Sequence, residues 1–188
     1  MIRVGKFDYP VQELTLPREM VDLAPKDLAR VRRENRQIAR LWTREGARRF
    51  SLPLQAPFDP LPDGGRFGQR RIINGLVRSP HGGADYSAPE GTPVVAAADG
   101  VVAMVADHFF GGRSVFVDHG DRLITTYLHL ARALVEEGQE VRRGERVGAV
   151  GATGRATGPH LHFGLRWHGA RVDPSLLLGP PEAIPLIE

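Results

Sequence analysis

Two histidines that stand one residue apart carry the clearest chemical signal in this sequence. His160 and His162 lie in a short apolar run that ends at Gly164. If the run is a β-strand, alternate side chains share a face, and both imidazoles point the same way from Cα atoms about 7 Å apart. Such a pair suggests a metal site, or a metal ligand beside a proton carrier. Two surface histidines on a polar strand face fit the same pattern, so partners elsewhere in the chain must decide.

Two further motifs offer such partners. His81 and Asp85 enclose the residues Gly-Gly-Ala, and the glycines allow a bend in which both side chains converge. Taken alone, this motif is equally typical of a surface Asx turn. His129 follows Tyr127 on a strand-like run, where we expect the two side chains to share a face. A lone histidine in such a position is often a packed or hydrogen-bonded residue.

Together these motifs supply one carboxylate and four histidines. A catalytic zinc ion needs three protein ligands from histidine and carboxylate, plus an open position. The chain has no cysteine, which excludes thiolate ligands, disulfides and thiol nucleophiles. The His-Glu-x-x-His motif of helical zinc peptidases is absent, so a proton acceptor must come from elsewhere, and the surplus histidines are suitable. The residues therefore predict a metal site, but their spacing does not say which histidine is a ligand.

The elements that would position these side chains are short β runs separated by turns. Turn signals such as Asp99-Gly100 and Glu137-Gly138 recur after Gly65. This pattern of short strands and turns predicts a mainly β fold, an antiparallel sandwich or barrel. Only Leu130–Glu137 could form a short helix in it. The predicted strands are Arg71–Val77, Pro93–Ala98, Gly100–Ala106, Ser114–Asp118, Arg122–Leu128, Arg146–Gly151 and Leu161–Trp167.

The first third of the chain has a different character. Residues 1–24 read as an extended arm, and Pro25 suits the first turn of a helix that continues from Lys26 to Glu45. Residues 51–69 are rich in proline and glycine and resemble a linker. We therefore divide the chain into an N-terminal region, residues 1–64, and a β-rich domain, residues 65–188. The helix has an apolar stripe, expected to dock on the β-rich domain, that comprises Leu28, Val31, Ile38, Leu41 and Trp42.

The positive charge of the chain is concentrated in this helix. The net charge is +3, yet the segment from Lys26 to Arg49 contains nine basic and three acidic residues. Such a segment favours anionic partners, and we expect a membrane or cell-wall surface rather than nucleic acid, because no nucleic-acid-binding pattern accompanies it. No apolar run approaches the roughly 20 residues that span a bilayer. The first eight residues carry charges where a signal peptide needs an apolar core.

Three motifs, in this order, resemble the lysostaphin/LytM-type zinc endopeptidases that cut peptide bridges of bacterial peptidoglycan. They are His81-x-x-x-Asp85, Tyr127-x-His129-Leu130 and His160-Leu-His162-Phe, and supporting matches span about residues 65–178. The resemblance implies an antiparallel β metallopeptidase domain, here with an N-terminal helical extension. It implies one Zn²⁺ ion held by His81, Asp85 and His162. It also implies that His129 and His160 flank the scissile carbonyl, moving the proton and stabilising the oxyanion.

The same resemblance implies a function. The expected activity is zinc-dependent hydrolysis of peptidoglycan cross-links, either D-Ala–diaminopimelate bridges, which we prefer, or polyglycine bridges. The alternative is a non-enzymatic zinc-binding activator of another cell-wall hydrolase, although every motif position is filled here. A biotinyl- or lipoyl-carrier domain is excluded because residues 51–188 contain no lysine to carry the group. Peptidoglycan implies action in the periplasm or cell envelope, with an export signal outside this chain.

Other residues are expected to be structural or regulatory. We interpret His119 as structural, and His108 and His168 as surface residues. In related enzymes upstream segments occlude the zinc, which makes Asn74 or residues 1–60 candidates for that role here. The sequence gives no indication of the oligomeric state.

Overall fold

The computed structural model describes residues 9–18 and 21–179, so the first eight residues lie outside the described part. In these ranges the chain forms thirteen strands and two helices, and it is mainly β as predicted. Their bounds are β1 Val11–Leu14, α1 Pro25–Leu41, β2 Gly64–Gly65, β3 Arg70–Ile73, β4 Leu76–Arg78, β5 Ala84–Ser87, β6 Pro93–Val95, β7 Gly100–His108, β8 Gly112–Asp118, β9 Leu123–Ala133, β10 Glu140–Val141, β11 Arg146–Val150, β12 His160–Trp167, β13 Ala170–Val172 and α2 Ser175–Leu178.

Strand β9 organises the main antiparallel sheet, whose order is β10-β7-β8-β9-β12-β5-β2. The first part of β9, up to Leu128, pairs with β12, whereas its last part, from Leu130, pairs with β11. The sheet therefore branches at β9, and within the described residues its strands do not close into a barrel. A separate three-stranded sheet joins β1 to the β3–β4 pair, with β1 parallel to β3.

The side chains of strand β12 alternate between the core on one face and the candidate site on the other. Leu161, Phe163 and Leu165 are fully buried in the main core, where a side chain of this size contributes roughly 1.5–3 kcal/mol of burial energy. His160 and His162 occupy the intervening positions and are only partly buried. Because strand side chains alternate between faces, both histidines project from the face opposite the core, as their spacing predicted.

The proline-rich segment before β2 packs against the same core. Phe50, Leu54 and Phe58 are all buried in it. The backbone of Leu54 donates a hydrogen bond to Leu177 O at 2.7 Å, which joins this segment to helix α2. The division at residues 64 and 65 stays a prediction, but the segment before it is tightly attached.

Two predicted elements are wrong. The segment Arg71–Val77 is not one strand, because Asn74 and Gly75 form a tight hairpin turn between β3 and β4, with φ angles of 51° and 77°. Asn-Gly is the dipeptide that such a turn favours. The segment Leu130–Glu137 is not a helix, because its first four residues are the end of β9, paired with β11, and the rest form a turn.

Helix α1 begins at Pro25 as predicted but ends at Leu41 instead of Glu45. Val31 and Leu41 are buried, while Ile38 and Trp42 pack against a second core cluster that includes Leu41 and Phe116, so these four residues of the predicted docking face are confirmed. Leu28, the fifth residue of the predicted stripe, is instead exposed. Neither described helix is both long and apolar enough to cross a membrane.

The helix also clamps the turn between β7 and β8. The buried carboxylate of Glu34 accepts hydrogen bonds from Arg30 Nε at 2.6 Å and from the backbone of Phe109 at 2.9 Å. This cover buries His108, which is only 6% exposed and packs edge-on against Phe116. The prediction of His108 as a surface residue is therefore wrong, and burial lowers the pKa of its imidazole.

Candidate metal centre and active site

Three potential ligand atoms converge at one point of the sheet. His81 Nε2 lies 3.0 Å from both Asp85 Oδ1 and His162 Nδ1, and the latter two atoms are 2.7 Å apart. His81 comes from the loop before β5, Asp85 from β5 and His162 from β12. Asp85 and His162 are directly opposite in the antiparallel register, so strand pairing itself brings them together across 77 residues.

Neighbouring groups hold His81 and Asp85 so that each directs one acceptor atom at this point. His81 Nδ1 lies 2.9 Å from Arg66 O, and because a carbonyl only accepts, the proton is on Nδ1 and the lone pair on Nε2. Arg71 Nη2 donates to Asp85 Oδ2 at 2.7 Å, which leaves Oδ1 for the centre. Acceptor atoms this close repel each other unless a proton or cation lies between them. Two imidazoles and a carboxylate fit zinc in donor type and number.

The charge states also suit metal binding. Burial alone raises the pKa of Asp85, but hydrogen bonds and charges of His162 and His81 outweigh it and hold the pKa well below its usual range. Burial lowers the pKa of His162 despite the adjacent carboxylate of Asp85. The site therefore contains a charged carboxylate beside a neutral His162 ring near pH 7.

A second pair of histidines lies beside the three ligand atoms. The rings of His129 and His160 are 4.7 Å apart between centroids, and His160 Nε2 is 4.0 Å from Asp85 Oδ1. His129 Nδ1 donates to Thr153 O at 2.8 Å, and His160 Nδ1 donates to Gly158 O at 2.9 Å. In each ring the proton is thus on Nδ1, and Nε2 presents a lone pair towards the site.

A β-bulge in β9 turns His129 towards the site. Two residues, Leu128 and His129, stand opposite Ser114 alone, so the alternation of the strand shifts at this position. His129 has a φ of 64°, a left-handed conformation that costs roughly 1–3 kcal/mol in a non-glycine residue. The expectation that Tyr127 and His129 share a face is therefore wrong. Tyr127 points into the core, where its hydroxyl accepts the N–H of Ala97 at 2.8 Å.

Thr153 holds the bulge in place. Its hydroxyl donates to Leu130 O and accepts the backbone N–H of Arg113, both at 2.9 Å, so it connects β9 to β8. Its carbonyl is the acceptor for His129 Nδ1. Burial lowers the pKa of His129 to about 4, which outweighs the opposite effect of the Thr153 hydrogen bond. The ring of His129 is therefore neutral near pH 7.

Two cavities border these residues. A groove of about 910 Å³ between helix α1 and the sheet is lined on one side by His81 and His162. A smaller cavity of about 100 Å³ separates His129 and His160 from strand β1 and the residues after it. Asn74, a candidate for occluding the metal, instead hydrogen bonds in both directions to the backbone of Leu16, at 2.9 and 3.0 Å.

Sequence reasoning missed one residue of the site, Arg71, and its support, Gln12. Besides binding Asp85, Arg71 donates from Nε to Gln12 Oε1 at 3.1 Å. An arginine in a strand ordinarily faces solvent, and no motif spacing connects it to Asp85. The predictions of His119 as a structural residue and His168 as a surface residue agree with the structure, because His119 is fully buried in a hydrogen-bonded position and His168 is exposed next to Asp121.

Known proteins are similar to this chain in both sequence and fold. Residues 79–174, about half of the chain, match the model of Peptidase family M23. The peptidoglycan DD-endopeptidase ShyA of Vibrio cholerae is 48% identical over 95 residues, which cover 50% of this chain and 22% of ShyA. The chain thus spans less than a quarter of that relative's length.

Solved structures agree with the sequence match. A zinc-containing peptidase from Vibrio cholerae superposes with a TM-score of 0.55 and 35% identity, covering 68% of this chain and 38% of that one. The catalytic domain of lysostaphin from Staphylococcus simulans also gives 0.55, at 30% identity, covering 62% of this chain and 92% of that domain. The predicted resemblance to lysostaphin/LytM-type peptidases is confirmed, and the chain belongs to Peptidase family M23.

Proposed function

We propose that this protein is a zinc-dependent endopeptidase that hydrolyses peptide cross-links of bacterial peptidoglycan. The observation that carries the proposal is the pairing of two sets of side chains. Three acceptor atoms lie within 3.0 Å of one another, and two histidines with free Nε2 lone pairs lie beside them. Because peptidoglycan lies outside the cytoplasm, the protein would act in the periplasm or cell envelope.

His81, Asp85 and His162 would hold the zinc ion. When bound, zinc supplies a Lewis acid that polarises a peptide carbonyl and makes a nearby water more acidic. His129 and His160 would act as the proton carriers and oxyanion stabilisers. The Nε2 lone pairs of these rings would accept a proton from the attacking water, and the resulting imidazolium would stabilise the developing oxyanion and protonate the leaving amine.

We propose the D-Ala–diaminopimelate bridge as the bond that is cut. The name of ShyA, a peptidoglycan DD-endopeptidase, supports this choice, as does the name of ShyC, which is 42% identical over 123 residues. The polyglycine bridge is the second candidate. The filled set of five site residues favours an enzyme over a non-enzymatic activator.

The decisive test is digestion of purified peptidoglycan by the zinc-loaded protein, with products identified by mass spectrometry. Cleavage of diaminopimelate cross-links should appear with zinc, disappear with a chelator and return when zinc is restored. Unchanged muropeptides in the presence of a zinc-loaded protein would reject the peptidase and favour the activator. Release of cut polyglycine bridges alone would keep the activity but reject the proposed bond.

We further propose that helix α1 associates with an anionic envelope surface. Its exposed arginines face away from the buried stripe that docks on the sheet, and they are Arg32, Arg33, Arg36 and Arg40. Co-sedimentation with purified peptidoglycan and with anionic vesicles, at low and high salt, tests this surface. Replacing the four arginines by glutamine should abolish co-sedimentation, and unchanged co-sedimentation would reject the proposal.

A further inference from the structure

Two cross-strand pairs of arginines border the loop that carries His81. Arg71 on β3 stands directly opposite Arg78 on β4, and Arg166 on β12 stands directly opposite Arg171 on β13. In an antiparallel pair, opposite Cβ atoms are about 4.5–5.5 Å apart, and like charges placed this way destabilise the sheet. The same unfavourable arrangement therefore occurs twice beside one metal centre.

One member of each pair has a structural role. Arg71 donates to Asp85 and to Gln12, as described above. Arg166 donates from Nη1 to Gly169 O at 2.8 Å, and its guanidinium lies 4.7 Å from the centroid of the ring of Trp42, the residue that follows helix α1. Contacts within the protein therefore fix the side chains of Arg71 and Arg166.

The other member of each pair, Arg78 or Arg171, is positioned to bind a ligand in the groove. Within residues 9–18 and 21–179, neither Arg78 nor Arg171 forms an ion pair with a carboxylate, and both line the large groove together with His81 and His162. Arg171 lies over Gly82, so close that a Cβ atom added there would be 3.1 Å from its Nε. A positive charge thus stands one residue from a proposed zinc ligand.

The groove as a whole is electropositive. Arg155 also lines it, and the pKa of Arg155 is lowered by burial and, in addition, by the charges of Arg71 and Arg78. A guanidinium binds a carboxylate in a planar, two-point geometry and is the side chain best suited to that group. The chemistry of the groove therefore favours a peptide that carries free carboxylates.

We propose that Arg78 and Arg171 form a carboxylate-binding subsite of the groove, which takes the free carboxylates of an acidic peptide next to the bond to be cut. This inference rests on the proposed function and deepens it. A diaminopimelate cross-link carries free carboxylates, whereas a polyglycine bridge carries none. The subsite would thus select the former substrate through charge.

The test compares two substrates that differ only in charge. One is a soluble diaminopimelate-cross-linked peptide dimer with free carboxylates, and the other is the same dimer with its carboxylates amidated. With the zinc-loaded full chain, we expect kcat/KM to be about tenfold higher for the free dimer, the size expected of one charge-assisted contact in a solvated groove. Equal kcat/KM for the two dimers would overturn the subsite.

Variants assign the effect to residues. Arg78→Ala and Arg171→Ala should each lower kcat/KM for the free dimer about tenfold, mainly through KM, and leave hydrolysis of the amidated dimer unchanged. The matched control is Arg132→Ala, which removes an exposed arginine of β9 outside the groove and should alter neither rate. Equal losses on both dimers would reduce the role of these arginines to folding and would contradict the proposal.

A binding measurement separates this inference from the proposed function. Calorimetry with the chelated full chain should show that the free dimer binds more tightly than the amidated one, and that a variant carrying both Arg78→Ala and Arg171→Ala loses this difference in affinity. If the zinc-loaded protein cleaves neither dimer but this difference is present, the peptidase proposal fails and the subsite stands. If cleavage occurs without any difference in binding or rate, the subsite fails and the peptidase stands.

Discussion

Two regions of this protein place a buried histidine in almost the same way. His119 donates from Nδ1 to Asp99 O at 2.8 Å, and His129 donates from Nδ1 to Thr153 O, also at 2.8 Å. They are 0% and 8% exposed, and burial lowers the pKa of both. The second nitrogen of the ring distinguishes them. His119 Nε2 lies 2.9 Å from the hydroxyl of Thr125, which donates to it, whereas the ring of His129 lines a small cavity beside the candidate metal centre.

The two regions differ in how completely the ring nitrogens of their histidines are hydrogen bonded. Around His119 the polar groups satisfy one another, because Thr125 also contacts the Tyr127 hydroxyl at 3.2 Å, and Tyr127 accepts from Ala97. Around the metal centre the chain fixes one nitrogen of His81, His129 and His160 and leaves the other available. The fold therefore completes both ring hydrogen bonds of His119, whereas His81, His129 and His160 each give one to a backbone carbonyl, which fits the ligand and proton-carrier roles proposed for them.

The largest expected effect comes from removing a proposed ligand. His162→Ala leaves two of three ligands, so zinc content should fall to background and hydrolysis of cross-links should be lost. Zinc is measured by elemental analysis after dialysis, and activity by release of muropeptides. The control is His168→Ala, an exposed histidine whose loss should change neither value. Stoichiometric zinc in the His162 variant would contradict its assignment as a ligand.

His129→Ala should separate metal binding from catalysis. The variant keeps His81, Asp85 and His162, so it should retain zinc, but without its proton carrier activity should drop by about 10²–10⁴-fold. Elemental analysis and muropeptide release on the same preparation give both values. An empty metal site in this variant would show that His129 is needed for binding and would overturn the division of roles.

Arg71→Ala should weaken the centre without removing a ligand. Because Arg71 holds Asp85 Oδ2, its loss should lower zinc affinity about 10–100-fold, the usual effect of losing an outer-shell partner. Gln12→Ala should have a smaller effect, since Gln12 acts only through Arg71. Competition with a chromophoric chelator measures both affinities, with Arg132→Ala as the control for charge. Unchanged zinc affinity in the Arg71 variant would reject the positioning role.

The sequence predicts the convergence of four side chains better than it predicts their surroundings, for physical reasons. His160 and His162 follow the period of one strand, and the glycines between His81 and Asp85 allow a bend, so local rules are enough for these residues. The direction of His129 depends on a bulge that exists only because β9 pairs with β8, which no local pattern reveals. The contact of Arg71 with Asp85 likewise depends on long-range packing.

The wrong predictions for Asn74-Gly75 and His108 have different causes. The turn at Asn74-Gly75 was readable from its residues, but the apolar residues on either side made one continuous strand plausible. His108 is buried against Phe116, close to where helix α1 packs on the sheet. The sequence predicts the docking face of the helix but not the part of the sheet that it covers. The proposed division of roles between His160 and His162 comes from the resemblance to a known family, because alternation alone leaves it undecided.

The smallest expected effect comes from replacing His119, the structural histidine of the comparison. His119→Leu leaves Asp99 O and the Thr125 hydroxyl without their partner, which should lower the free energy of unfolding by roughly 1–3 kcal/mol at pH 7 while zinc affinity stays unchanged. Urea unfolding and chelator competition measure the two quantities, with His168→Leu as the control.

The pH dependence of this effect has a defined sign. Burial lowers the folded-state pKa of His119 below its unfolded value of about 6.5, so the unfolded chain binds a proton first as the pH falls, and acid favours unfolding. The leucine variant cannot take up this proton, so its stability should decline less than that of the wild type between about pH 7 and pH 5. The stability gap between the two proteins therefore narrows in acid. A gap that widened instead would mean that His119 becomes charged in the folded state, and the contrast with the site histidines would fail.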